Sequence, residues 1–132
     1  MNPVKVVCGV IFKDNRVLIC RRKADKSLGG YWEFPGGKLE EGETEEECLK
    51  RELVEELGLE VTVKHHFMTN IHNYNTTTIE LISFGCTTSQ TSIKLIDHDS
   101  IEWVPASTLL TWPLAPADIP IAKKLIELDL VS

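Results

Sequence analysis

The chain has 132 residues, of which 42% are apolar and 26% are charged. This composition predicts one globular domain, residues 1–132, with a core of moderate size. The formal net charge of −6 argues against binding to duplex nucleic acid, which requires a basic face to displace condensed counterions. No apolar run approaches the roughly 20 residues that cross a bilayer, and no signal-peptide cleavage site follows the N-terminus. We therefore expect a cytoplasmic protein, a monomer or homodimer, with no membrane partner.

The cysteines are widely separated in the sequence, and none belongs to a CxxC pair (Cys8, Cys20, Cys48 and Cys86). This spacing favours buried thiols in a reducing compartment over a disulfide framework or a zinc site.

Two β-strands are predicted at the start of the chain. Val and Ile dominate VKVVCGVIF (residues 4–12) and VLICRR (17–22), and Asp14 and Asn15 supply turn chemistry between them. Residues 23–43 contain five of the eight glycines, which predicts a long structured loop. Loops of this length in compact domains are commonly functional.

The next element is a helix over residues 45–57. Thr44 and Glu47 have the spacing of a capping box, and Gly58 suits a left-handed C-terminal cap. A leucine every fourth position predicts a stripe that faces the core (Leu49, Leu53 and Leu57).

Three glutamates, Glu52, Glu55 and Glu56, border this leucine stripe. Like charges three and four positions apart on a helix repel each other by a few tenths of a kcal/mol per pair. Ten of the twenty acidic residues lie between residues 40 and 60, where Lys50 and Arg51 are the only basic ones. A hard divalent cation such as Mg²⁺, which prefers oxygen ligands, would supply the missing positive charge. An ordinary solvated acidic helix is the alternative.

The remaining elements alternate strands and loops before a second helix. EVTVKHHF (60–67), TTTIELISFGCT (76–87) and IEWVP (101–105) are rich in β-branched and aromatic residues and complete one mixed sheet. PLAPADIP (113–120) is a proline-punctuated loop, and the apolar spacing in 119–131 predicts an amphipathic closing helix. Three histidines lack paired ligand spacing and are interpreted as strand or surface residues (His65, His66 and His72).

The residues around the acidic helix resemble the motif that defines the Nudix hydrolases. The match runs Gly37, five residues, Glu43, seven residues, Arg51-Glu52-Leu53, one residue, Glu55-Glu56, one residue, Gly58-Leu59. It extends upstream through WEFPGGK and, in element order, along nearly the whole chain. The chain is most similar to the MutT-like nucleoside triphosphate pyrophosphohydrolases. This resemblance implies the Nudix fold, an α/β architecture in which a mixed, curved sheet lies between helices.

The resemblance also implies roles for the residues of the motif. It makes Glu52, Glu55 and Glu56 catalytic metal ligands together with the Gly36 carbonyl, and makes the ion Mg²⁺, for which Mn²⁺ can substitute. Glu52 would also orient the attacking water.

Further residues of the motif would orient these groups or bind substrate. Arg51 would orient a glutamate, plausibly Glu43, by a bidentate pair. Glycines at positions 36 and 37 allow the backbone to approach an ion or a phosphate closely, so Gly37 and Lys38 are expected to bind substrate.

A later carboxylate is expected to join the same site. Asp97, six positions before Trp103, would bind the metal directly or through a water molecule. The alternative is a polar turn formed by Asp97, His98 and Asp99.

Arg22, Phe34 and Asp118 stand where MutT-like enzymes bind the nucleotide base. MutT itself has Asn at the position of Asp118, and an ionised Asp only accepts hydrogen bonds. Such an acceptor suits the N4 amine of cytosine and opposes O6 of guanine. The loop PLAPADIP also resembles the branch that hydrolyses CTP. The substrate is therefore predicted to be a cytosine nucleotide, ring-modified cytosine included, with adenine as the second base that the chemistry permits.

Several alternatives to this interpretation stay open at the level of sequence. Asp118 could cap the closing helix, Trp32 and Phe34 could be plain core residues, and Arg22 could form a surface ion pair. The enzyme could instead be a MutT-type hydrolase of oxidised purine triphosphates. A rival outside the enzymes is a non-catalytic module that binds nucleotides or DNA lesions, although such modules usually lack the intact set of glutamates.

Overall fold

A computed structural model describes residues 2–131, with side chains as far as residue 129. In chain order its strands and helices are β1 (Val4–Lys13), β2 (Arg16–Arg22), β3 (Trp32–Glu33), β4 (Gly36–Lys38), α1 (Glu45–Leu57), β5 (Thr62–Tyr74), β6 (Thr77–Thr87), β7 (His98–Val104) and α2 (Ile119–Val131). Two short 3₁₀ helices, Ala106–Thr111 and Pro116–Asp118, precede α2. Within the described residues no helix is long and apolar enough to cross a membrane.

The strands form one mixed sheet in the order β3-β2-β1-β6-β5, with β4 added to β1 and β7 added to β2. β1 and β6 run parallel, and the other pairs are antiparallel. β1 pairs with β4 over Val6–Cys8 but with β2 only at Phe12 and Lys13. β2 and β4 therefore pair with the same edge of β1 at different positions, β4 near its start and β2 at its end.

One helix covers each face of the sheet, as the α/β prediction requires. Because side chains alternate along a strand, neighbouring residues of β1 and β2 enter different cores. Val7 and Leu18 pack in the core under α1, whereas Val10 and Ile19 pack in the core under α2. The predicted leucine stripe of α1 is fully buried.

Both ends of α1 have the predicted caps. The Thr44 side chain accepts the backbone N–H of Glu47, whose own side chain accepts the N–H of Thr44. Gly58 closes the helix in the left-handed region at φ 59°. The segment that follows β6 also contacts this end, because the N–H groups of Lys94 and Ile96 donate to the carbonyls of Leu57 and Glu56.

The predicted burial of the cysteines and the predicted strand position of three histidines are confirmed. All four cysteines are free and buried. The three histidines lie on β5, where His66 hydrogen-bonds to Thr69 and the ring of His72 contacts that of Tyr74 edge to face.

The sequence prediction ended β5 too early and began β7 too late. β5 continues past Phe67 to Tyr74, through a polar stretch without apolar alternation, because it is the outermost strand and pairs with β6 alone. β7 begins at His98, three residues before the predicted strand. The predicted loop 23–43 contains the two short strands β3 and β4.

Candidate active site

Arg51 organises the acidic residues around α1. Its Nε and Nη2 donate to the two carboxylate oxygens of Glu43 at 3.0 and 2.8 Å, which is the predicted bidentate pair. The guanidinium, helped by the N–H of Glu40, lowers the pKa of Glu43 from 4.5 to about 2. Arg51 is thereby held in one orientation, because a planar guanidinium matches a carboxylate at two points.

The same guanidinium also holds two of the three motif glutamates. Arg51 Nη1 donates to Glu52 at 3.0 Å and to Glu55 at 3.1 Å. The carboxylate of Glu52 lies against the backbone of Gly37, and a Cβ at that position would overlap it. Only glycine at position 37 allows the Glu52 carboxylate to approach the backbone this closely. Burial at this position raises the pKa of Glu52.

Glu56 is the glutamate that Arg51 does not reach. It is 9% exposed, and its Oε1 is buried without a hydrogen-bond partner among the described residues. Burial, followed by the charges of Glu33, Glu52 and Asp97, raises the pKa of Glu56 to about 8. A buried carboxylate without a partner is costly, and a cation bound beside it would remove that cost.

Glu52, Glu56 and Gly37 line one cleft of about 860 Å³, together with Gly36, Lys38 and Asp97. Arg51, Glu43 and Glu55 are not part of its lining. Among the described side chains, no three acidic, imidazole or thiol groups form a ready-made metal cage. Arg51 explains part of this, because it draws Glu52 and Glu55 to itself. The oxygen-rich donors and the unpartnered Glu56 nevertheless fit a hard divalent cation.

Glu33 lines this cleft and His98 lines a smaller pocket that adjoins it, and the sequence prediction missed both as site residues. His98 is 2% exposed, and its Nε2 lies 2.8 Å from Oε2 of Glu33. Glu33 also accepts hydrogen bonds from Arg22 Nη1 at 3.3 Å. Strand alternation could have identified Glu33, since it faces away from the core residues Trp32 and Phe34 on either side of it.

The polar-turn interpretation of residues 97–99 is wrong for His98, which is buried at the start of β7. Asp99 forms a surface pair with Arg21 at 2.6 Å, and Asp97 lines the cleft.

The opposite end of the cleft is built around Asp118 and Phe34. Asp118 is 6% exposed, and its Oδ2 accepts the backbone N–H of Phe34 at 2.8 Å. The carboxylate thus ties α2 to the loop after β3, which contradicts the helix-cap alternative. Burial, followed by the charge of Glu33, raises the pKa of Asp118 well above its ordinary value. A proton retained for this reason would let Asp118 donate as well as accept, which the acceptor-only argument from sequence did not include.

Phe34 and Arg22, the other two residues predicted to bind the base, line the cleft and also have the structural roles that were considered as alternatives. Phe34 is 2% exposed and belongs to the core under α2, yet it also lines the cleft. Arg22 does form an ion pair, but with Glu33 inside the cleft instead of at the surface. Trp32 is a core residue whose ring contacts Trp112 edge to face at 4.9 Å.

Comparisons with known proteins agree with this fold. A model of the NUDIX domain matches residues 6–124. CTP pyrophosphohydrolase of Escherichia coli is 33% identical over 97% of this chain and 95% of its own length. Putative 8-oxo-dGTP diphosphatase 2 of Mycobacterium tuberculosis is 38% identical over 86% of this chain and 81% of its own. The solution structure of the E. coli ORF135 protein superimposes with a TM-score of 0.84 at 32% identity, covering 98% of this chain and 92% of that one.

The chain therefore belongs to the Nudix family and is a hydrolase. Within that family it is a MutT-like nucleotide pyrophosphohydrolase, as its motif predicted. The alternative of a non-catalytic binding module is not supported.

Proposed function

We propose that the enzyme hydrolyses CTP, dCTP and ring-modified cytosine nucleotides to the monophosphate and pyrophosphate. The observation that carries this proposal is Asp118, a buried carboxyl group on the wall of the same cleft as Glu52 and Glu56. The similarity to the E. coli CTP pyrophosphohydrolase over nearly the full length of both chains supports it.

The geometry around Asp118 suits the edge of a cytosine ring. One oxygen, Oδ2, is occupied by the N–H of Phe34, which fixes the carboxyl plane and leaves the second oxygen for a ligand. Cytosine presents an N4 amine that donates, and the second oxygen of Asp118 accepts from it when the carboxyl group is ionised. A base that placed an acceptor there would leave a buried polar group mismatched, which costs several kcal/mol.

Mg²⁺, or Mn²⁺ in its place, is the cofactor that the donor set fits. Glu52, Glu55, Glu56 and the Gly36 carbonyl would hold it, with Asp97 as a direct or water-mediated ligand. When bound, the cation would neutralise the charge that develops on the phosphoryl oxygens.

The protein's own residues would position the other reactants. Glu52, fixed between Arg51 and the Gly37 backbone, would orient the attacking water. Gly37 and Lys38 would contact the phosphates, and Arg22 would line the path between the base and the phosphates. Because the side chains of Glu52 and Arg22 are already held by partners within the protein, these two lose little entropy when substrate binds.

The test is a comparison of kcat/KM for CTP, dCTP, dATP and oxidised dGTP between the wild type and Asp118→Asn. Asn retains the size of the side chain and an oxygen for the Phe34 N–H, but its outward-facing group can donate. The ratio of kcat/KM for cytosine substrates to kcat/KM for guanine-type substrates should fall by a factor equivalent to about 1–3 kcal/mol, the usual contribution of a base-edge contact. An unchanged ratio would mean that Asp118 does not select the base.

Oxidised purine triphosphates are the second candidate substrates. The M. tuberculosis relative named a putative 8-oxo-dGTP diphosphatase favours them, as does a proton on Asp118, which would add a donor to the pocket. In the same assay, a wild-type preference for oxidised dGTP over CTP would select this candidate.

A further inference from the structure

A small pocket of about 100 Å³ adjoins the cleft beside Glu56. Its lining residues are Arg22, Lys26, Glu56, Asp97 and His98. Two of them, Glu56 and His98, are at least nine-tenths buried, and each has a polar atom with no partner in the described part of the chain, Oε1 and Nδ1 respectively. Buried polar atoms are normally satisfied by protein, water or ligand, so this pocket is suited to a polar occupant.

Lys26 differs from the other cations in its segment, RRKADK (residues 21–26). Three of the four cations have partners within the fold: Arg21 with Asp99, Arg22 with Glu33, and Lys23 with the Ile96 carbonyl. The ammonium group of Lys26 has no hydrogen bond or ion pair with any described residue. It is therefore the cation of this pocket whose charge the protein leaves uncompensated.

The backbone that carries Lys26 is held in place. Its N–H donates to the Lys23 carbonyl, and its own carbonyl accepts the N–H of Gly29, both at 2.9 Å. A Cβ on Gly29 would lie 2.7 Å or less from the carbonyl oxygens of Lys23 and Ala24, so the turn is as tight as glycine allows. The lysine side chain thus starts from a defined point at the rim of the pocket.

We propose that this pocket binds the terminal phosphate of the substrate, and that Lys26 is the residue that favours a triphosphate over a diphosphate. The inference rests on the proposed function. The pocket shares Arg22, Glu56 and Asp97 with the cleft but is not lined by Phe34 or Asp118. The phosphate chain leads away from the base toward Glu56 and Asp97, which line both the cleft and this pocket, so its end can reach the pocket.

Charge gives Lys26 this selectivity. Of the two cations that line the pocket, Arg22 already shares its charge with Glu33. The unpaired ammonium of Lys26 offsets the added charge of the third phosphate, which a diphosphate does not carry.

The experiment compares Lys26→Met with Lys64→Met. Lys64 is an exposed lysine on β5 that lines neither cavity, so it controls for loss of one surface charge. Each variant is assayed with the nucleoside triphosphate that the wild type hydrolyses fastest and with the matching diphosphate, so the result does not depend on which base is preferred. Calorimetric binding of the α,β-methylene analogues of both nucleotides supplies a measurement that is independent of turnover.

Lys26→Met should lower kcat/KM for the triphosphate, and weaken binding of its analogue, by about 5- to 10-fold, the worth of one partly exposed charge-assisted contact. For the diphosphate, kcat/KM and the affinity of its analogue should stay within about twofold of wild type, because a diphosphate lacks the third phosphate that Lys26 would contact. Lys26→Arg, which keeps the cation, should restore most of the difference.

Two results would overturn the inference. One is a Lys26→Met variant indistinguishable from Lys64→Met. The other is an equal loss on triphosphate and diphosphate, which would indicate general attraction of anions instead of a terminal-phosphate site. A wild type that hydrolyses no nucleoside triphosphate would instead overturn the proposed function, so the two failures are distinguishable.

Discussion

The two ends of the cleft are constructed differently. The metal end, defined as Glu43 and the three motif glutamates with Arg51, lies within 14 consecutive positions, from Glu43 to Glu56. The base end joins Phe34 to Asp118 by a hydrogen bond between residues 84 positions apart. A chain can therefore keep its hydrolytic chemistry while its choice of base changes with residues far from the motif.

The two ends also differ in how their charges are balanced. At the metal end, Arg51 compensates Glu43, Glu52 and Glu55, but Glu56 is left with an unpartnered buried oxygen. At the base end, Asp118 is buried as deeply but is hydrogen-bonded to the backbone. The first arrangement leaves a polar atom for a bound cation to satisfy, as proposed above, whereas the second is satisfied within the chain.

The change with the largest expected effect is Glu56→Gln, which removes the carboxyl group that Arg51 does not reach. Turnover should fall by about three orders of magnitude, because a metal ligand loses its charge. Mg²⁺ should raise the melting temperature of the wild type by binding the folded state, and should do so much less in the variant. Differential scanning fluorimetry with and without Mg²⁺, alongside kcat, measures both effects.

The matched control is Glu46→Gln, on the exposed side of the same helix and paired with Lys50. It should leave turnover and the response to Mg²⁺ unchanged. Near-normal activity in Glu56→Gln would contradict the assignment of Glu56 to the metal.

Glu43→Gln tests the ion pair between Glu43 and Arg51, and its expected effect on activity is smaller than that of Glu56→Gln. Losing the charged partner of Arg51 should reduce activity by about 10- to 100-fold, as is usual for residues that orient metal ligands. The folded-state pKa of Glu43 is lowered from 4.5 to about 2, so its stabilising contribution is present above pH 4.5 and is lost as the pH falls toward 2. The variant lacks this contribution.

Thermal melts of both proteins between pH 6 and pH 2 check the stability part of this prediction. The wild type should melt higher at pH 6, and the two curves should converge in acid. Parallel curves of melting temperature against pH would mean that the pair with Arg51 does not lower the pKa of Glu43.

Asp118→Asn has the smallest expected effect on stability, and it probes the base end. The folded-state pKa of Asp118 is raised, so its favourable contribution is complete below its unfolded-state pKa and is lost as the pH rises through the folded value. At pH 7 the neutral Asn should melt roughly 2–6 °C higher than wild type. The gap should close toward pH 4, where Asp118 becomes protonated in the unfolded chain too.

Asp99→Asn is the control for this measurement, because Asp99 is a half-exposed partner of Arg21. It should show no comparable gain at pH 7. A lower melting temperature for Asp118→Asn at neutral pH would mean that the bond to Phe34 depends on a full negative charge.

The sequence predicted the helix that carries the motif glutamates well because the determinants of that helix are local. The capping pattern of Thr44 and Glu47, the leucine stripe and the glutamate spacing all repeat on the scale of a helical turn. The pairing of Arg51 with Glu43 followed from the same motif.

The base end was less accessible to sequence because its contacts form only in the folded chain. Nothing local in WEFPGG shows that the Phe34 N–H meets Asp118, or that Glu33 meets His98. The pKa of Asp118 depends on burial and on Glu33, so the prediction of an acceptor-only carboxylate lacked its main determinant. β5 was predicted too short for a related reason, since an outer strand bonded on one side needs little apolar alternation.

The parallel pairing of β1 with β6 bears on how the protein is made. Val4 pairs with Ile79 and Phe12 with Thr87, so the middle of the sheet cannot close until residues 77–87 have left the ribosome. By then α1 and its glutamates have already emerged, while the Asp118 segment has not. The acidic helix of a growing chain therefore emerges before the sheet that buries its leucine stripe is complete. Such long-range closure slows folding and prolongs exposure of that stripe to chaperones.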